Sequence, residues 1–163
     1  MLYEHETRTI FHSSLATVVD FRCPSVETNT EIGDFVPDIA FLCFPRRGAF
    51  HKLTGGGEPV FGDPNHVLFF NESEPFRISY PLPGGDDSTF FAVDRGLLRE
   101  ILERYDPAAA DDGEVTFPYE SGLSDSRTFL IHRLLFERWS EGTLDDPVAA
   151  EEGIVELVSR ARS

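Results

Sequence analysis

The chain has 163 residues, 40% of them hydrophobic, and its 29 acidic against 14 basic side chains give a formal net charge of −15. That length suits one domain with a core of its own. The acidic excess, with Lys52 the single lysine, makes this stretch a poor nucleic-acid binder by itself, because a duplex is held through clustered Lys and Arg. No apolar run reaches the roughly 18 residues of a membrane span, and "MLYEHETRTIFHSS" lacks the basic-then-apolar order of a secretory signal. A cytoplasmic location is expected. Cys23 and Cys43 stand in no ligand-like spacing and read as buried small hydrophobes of a reducing compartment.

Along the first two thirds, short apolar runs alternate with turn signals. Strands are predicted at 14–21 (SLATVVDF), 39–45, 49–53, 58–62, 66–71 (HVLFFN), 76–80 (FRISY) and 88–94 (STFFAVD). Their spacing of roughly 8–12 residues is that of a sandwich or barrel. "TGGGE" supplies the left-handed conformations of a tight hairpin, and "GDPN" and "PLPGGDD" have turn chemistry. The period then changes. Residues 95–105 place Leu98, Ile101, Leu102 and Tyr105 on one helical stripe, and a loop follows. A second helix is predicted at 124–141, with Ser124 as N-cap, Asp125 at its positive end and Gly142 just past its end. A third begins at Asp146 and Pro147. The apolar set of the second helix is wider than one stripe, so it is expected to pack on the barrel and on a twin. Leu130, Leu134, Phe136 and Trp139 are the residues expected to pair two copies.

Catalytic chemistry finds little support. A cupin-type metal site needs three or four converging imidazoles and carboxylates, but there is no His-x-His pair. His51 and His66 stand apart on strands, and His5, His12 and His132 lie in the N-terminal arm and the long helix. "ESGLSDS" lacks the elbow that exposes a nucleophilic serine, "GGGEP" lacks the continuation of a phosphate loop, and Asp86 and Asp87 read as solvated turn acids. No metal, cofactor or catalytic residue is expected, and the chain does not read as an enzyme. A ligand pocket remains. Alternation puts Phe44 and Arg46 on one face with Leu42, Arg77 with Ser79, and Thr89 with Phe91 and Val93. If these faces point inward, Phe44, Arg46, Arg77, Thr89 and Phe91 would hold a hydroxylated or carboxylated small molecule. If they point outward, Phe76, Ile78 and Tyr80 face in. Periodicity leaves both open.

Taken together, "FPRRGAFHK", "GDPNHVLFFNESEPFRISYPLPGGDD" and "FLIHRLLFERWSEGTLDDPVAAEEGIVELV" resemble the N-terminal regulatory domain of AraC-type transcription regulators, over about residues 38–158. The resemblance implies a mainly β fold with C-terminal helices: a cupin-like double-stranded β-helix over 1–94, then a helical dimerisation segment over 95–163 that forms one compact unit with it. It implies a small-molecule effector, a homodimer, and DNA contact only through a helix-turn-helix domain absent from this chain, whose linker would start near "SRARS". Among the proposed pocket residues, Arg46 is the one that matches a ligand-contacting arginine of the family. The rival expectations are a metal-dependent cupin enzyme, an isomerase or dioxygenase, and a dimerisation-only domain whose phenylalanines fill the barrel.

Overall fold

The computed structural model of the chain describes residues 5–24, 26–110 and 115–161. The strands are β1 (Glu6–His12), β2 (Ala16–Cys23), β3 (Thr30–Phe35), β4 (Phe41–Gly48), β5 (Phe50–Leu53), β6 (Val60–Gly62), β7 (His66–Phe70), β8 (Phe76–Tyr80), β9 (Asp86–Val93) and β10 (Ser121–Leu123). The helices are α1 (Arg95–Tyr105), α2 (Ser126–Glu141) and α3 (Pro147–Arg160), with a 3₁₀ turn at Pro107–Ala110. The end of the expected linker, residues 162 and 163, lies outside the described residues.

Two antiparallel sheets face each other, one in the order β1-β2-β9-β4-β7-β10 and the other β3-β8-β5-β6. From β2 to β5 the chain steps from sheet to sheet, turns through the β5–β6 hairpin, and retraces the same steps to β9. That path is an eight-stranded jelly roll, the double-stranded β-helix of cupin-like barrels. β1 and β10 extend the two edges of the larger sheet. "TGGGE" makes the β5–β6 hairpin with Gly55 left-handed. "PLPGGDD" turns through Gly85 at φ +65°, where a β-carbon would lie 2.0 Å from the Cys23 carbonyl oxygen, so the turn needs glycine.

The larger sheet is buried on both faces, which explains why its strands read as near-continuous apolar runs (FLCF, VLFF, TFFAV) rather than as clean alternation. One face meets the smaller sheet through Cys43, Phe50, Leu68, Phe70 and Tyr80. The other is covered by the helices, where Val18, Leu42, Phe44, Phe69 and Phe91 pack with Leu98, Ile101, Trp139, Ile154 and Leu157. The helices begin on carboxylate caps. Asp94 accepts from the Gly96 and Leu97 N–H groups, Asp125 from Thr128, and Asp146 from Val148 next to Pro147. The cap of α2 is thus Asp125 rather than Ser124, whose backbone N–H instead donates to the Asn65 carbonyl at 2.8 Å. Gly142 closes α2 at φ +70°. α2 and α3 meet where Gly153 leaves room for Leu135; a β-carbon there would sit 2.9 Å from Leu135 Cδ2.

Candidate functional site

Between the sheets lies a cavity of about 150 Å³. Phe21, Phe35, Phe41, Phe50, Phe70, Phe76 and Phe90, seven of the fifteen phenylalanines, line it together with Ile78, Tyr80, Cys43, Asp86 and His5. They lock one another in place. Phe41 stacks on Phe70 with centroids 4.5 Å apart, Phe76 meets Phe70 edge-on at 4.6 Å, and Phe21 stacks on Phe90 at 5.0 Å. Cys43, Phe50, Phe70, Tyr80 and Asp86 are buried and make the closed end; Phe21, Phe35, Phe76 and Phe90 are half-buried at the open one. The phenylalanines therefore line the barrel without plugging it.

Polar chemistry is concentrated at the closed end. The Tyr80 hydroxyl donates to Asp86 Oδ1 at 2.6 Å and Ser88 Oγ donates to Oδ2 at 2.7 Å. Burial raises the Asp86 carboxyl pKa, and these two bonds oppose that shift. Cys43, beside Ser88, is fully enclosed; burial pushes its pKa up and keeps it a thiol rather than a nucleophilic thiolate. Asp86 was expected as a solvated turn acid. It is 2% exposed, because it opens β9 and pairs there with Cys23 and Gly48, pointing into the barrel. No motif marks it in the sequence.

The residues expected in the pocket are elsewhere. Phe44, Thr89 and Phe91 lie on the opposite face of β4 and β9, beneath α2. The β4–β9 register shifts between Pro45 and Arg47, and Arg46 sits at that irregularity. Its side chain is 5% exposed, Nη2 contacts Asp20 Oδ1 at 2.5 Å, and Nη1 donates to Thr89 Oγ1 at 2.8 Å. The guanidinium lies 3.9 Å from the Phe136 ring centroid. His132 of α2 reaches the same Thr89 hydroxyl with Nε2 at 2.8 Å. Asp20, Arg46, Thr89 and His132 thus form a buried polar bridge between barrel and helix. Arg77 points outward and pairs with Glu31 and Asp34, while Phe76, Ile78 and Tyr80 face in.

The expected pairing residues divide. Leu130 and Leu134 are 56% and 46% exposed. Phe136 and Trp139 are buried within the chain, Phe136 under Arg46 and Trp139 stacked on Phe11 at 5.4 Å, so neither is free to meet a second copy. Among the described residues, no group of three or more His, Cys, Asp and Glu is placed to hold a metal ion. His66 bonds Asp63 at 2.7 Å and His51 rests against Phe61. Lys52, the single lysine, is buried behind the cavity wall. Its ammonium donates to the Phe69 carbonyl at 2.5 Å, sits 4.6 Å above the Phe70 ring and has its pKa lowered by burial.

No protein-family model matches the chain, and no curated protein matches it in sequence. Solved structures do. Apo ToxT K231A from Vibrio cholerae aligns over 91% of this chain and 54% of its own, with a TM-score of 0.59 and 8% identity. The chain therefore spans about half the length of ToxT. A cupin superfamily protein from Desulfitobacterium hafniense aligns over 56% of this chain and 79% of its own (TM-score 0.43, 11% identity). A cupin domain from Bordetella pertussis aligns over 55% and 93% (TM-score 0.43, 10% identity). At 91% of this chain, the ToxT alignment takes in more than the barrel alone.

Proposed function

We propose that the chain is the effector-sensing domain of an AraC-type transcription regulator, acting in the cytoplasm, with DNA contacted by a domain outside this sequence. One observation carries the reading. β4 and β9 present cavity wall on one face (Phe41, Cys43, Phe90) and the α2 bridge on the other (Phe44, Thr89, Phe91). A guest that displaces either strand acts on α2 through Thr89 and His132, which is the coupling a sensor requires. The likeness to ToxT, an AraC-type regulator, supports the reading, because at 91% of this chain it takes in more than the barrel alone.

The test is a thermal-shift panel of compact aromatic compounds. A compound at about a hundred times its Kd adds about 2.7 kcal/mol, or roughly 5–10 °C in Tm for a chain of this size. Ile78→Trp, which fills the open end, should remove the shift. A panel that leaves Tm unchanged would overturn the reading.

The exposed face of α2 fits a second copy of this chain. Leu130 and Leu134 flank Arg133, with Glu137 one turn on. An antiparallel two-fold pairing would set Arg133 against Glu137 of the copy while covering the leucines. Sedimentation at tens of micromolar should give a dimer, and the double variant Leu130→Asp/Leu134→Asp a folded monomer. A monomeric unsubstituted chain would reject the pairing.

A further inference from the structure

The lining of the barrel also selects the charge of its guest, an inference that rests on the sensing role proposed above. Among the described residues that line the cavity, Asp86 is the one acid, and neither Lys nor Arg contributes. The nearby cations are turned away. Lys52 lies behind the Phe70 ring, bound to the Phe69 carbonyl. Arg47 points outward to Asp87 at 3.1 Å and to the Gly84 and Cys23 carbonyls. A carboxylate or phosphate at the closed end would meet Asp86 with no Lys or Arg beside it, His5 lying at the exposed mouth, and a sugar would find ring faces where its hydroxyls need partners. The hydroxylated or carboxylated ligand expected from an inward Arg46 has no support once Arg46 lies under α2.

We propose that the barrel takes a compact organic cation, a protonated amine or quaternary ammonium on a single-ring or short alkyl body, with its charge at Asp86 and its body among the phenylalanines. The faces of aromatic rings attract cations, and enclosure by several rings is how proteins recognise quaternary ammonium groups. Asp86 is held ready for this. Tyr80 and Ser88 each occupy one acceptor position on its two oxygens, fixing the carboxylate and leaving a second lone pair on each. The volume is suited to one ring: a dry protein cavity of about 150 Å³ accepts benzene. The net charge of −15 raises the local concentration of cations around the protein.

Calorimetric titration of the full chain with three probes of nearly one shape separates the possibilities: 2-phenylethylammonium, 2-phenylethanol and phenylacetate. The ammonium should bind about tenfold or more tightly than the alcohol, with phenylacetate weakest. Asp86→Asn should reduce that preference to about twofold. If Asp86→Asn does not fold, Phe90→Leu serves instead and should weaken the ammonium more than the alcohol. An alcohol that matches the ammonium, or a preference for phenylacetate, overturns the cation inference and leaves a ligand-binding barrel standing. Failure of all three probes to bind, together with a silent thermal-shift panel, removes the sensing role itself.

Discussion

Arg46→Ala is expected to destabilise the fold by about 3 kcal/mol, read from urea unfolding, while leaving the affinity of any barrel guest within about twofold. The cost arises because the substitution leaves Asp20, 4% exposed, as a buried carboxylate whose best partner is gone. Breaking a buried pair in this way typically costs about 3–5 kcal/mol. The lower end applies here, because Arg22 remains 3.1 Å from the same carboxylate and Arg8 lies 3.9 Å away. Thr89 would also lose a donor, and the Phe136 ring its cation. Replacing both partners, as in Asp20→Leu/Arg46→Met, should recover most of the loss, since apolar side chains of similar volume substitute well for a buried ion pair. The two single variants and the double variant form a cycle whose coupling measures the pair. A folded, fully stable Arg46→Ala protein that no longer binds its guest would place the arginine in the ligand site after all, contrary to the geometry.

The turns were legible because their chemistry is local: Gly55 in the hairpin, Gly85 against the Cys23 carbonyl, Gly142 after α2 and Pro147 at the start of α3 all act through their own backbone. The barrel-then-helices order was legible because the apolar period changes near residue 94. What alternation could not decide was which face is inside. In FLCF and TFFAV both faces are apolar, one for the cavity and one for the helices, so Phe44 and Phe91 look like lining as readily as Phe41 and Phe90 do. Arg46 compounds the ambiguity, since the shifted register around it breaks simple counting. β1 (ETRTIFH) and β3 (TEIGDF) carry no strand signal in the sequence because they are largely exposed and polar. β10 carries none because three residues have no period. Asp86 was hidden by its neighbours: a glycine turn beside a second acid reads as solvent until the β9 pairing is known.

The same bridge predicts a pH dependence. His132 is 1% exposed, and burial, reinforced by the charges of Arg46 and Arg133, depresses its pKa from 6.5 to about 3. Thr89 Oγ1 accepts from Arg46 and has one proton of its own to give, so the neutral ring receives it at Nε2. A protonated ring would instead present a second donor to an oxygen already facing a guanidinium. The unfolded chain takes up a proton near pH 6.5, whereas the folded chain resists until about 3, so the unfolded state binds more protons throughout that window. The histidine's contribution is therefore full above about pH 6.5 and is lost at about 1.4 kcal/mol per unit below it, a loss of roughly 3 kcal/mol by pH 4. Asp86 works in the opposite sense. Its raised pKa lets the folded state take up a proton first, so acidification relieves that buried carboxylate. The histidine's share is thus read as a difference. His132→Gln should be less stable than the unsubstituted protein at pH 7, yet lose less stability on acidification, and the two curves should converge toward pH 4. Denaturant midpoints taken every half unit between pH 4 and 7.5 make the comparison. Parallel curves would mean that His132 carries its proton in the folded state and that the bridge to Thr89 is built differently.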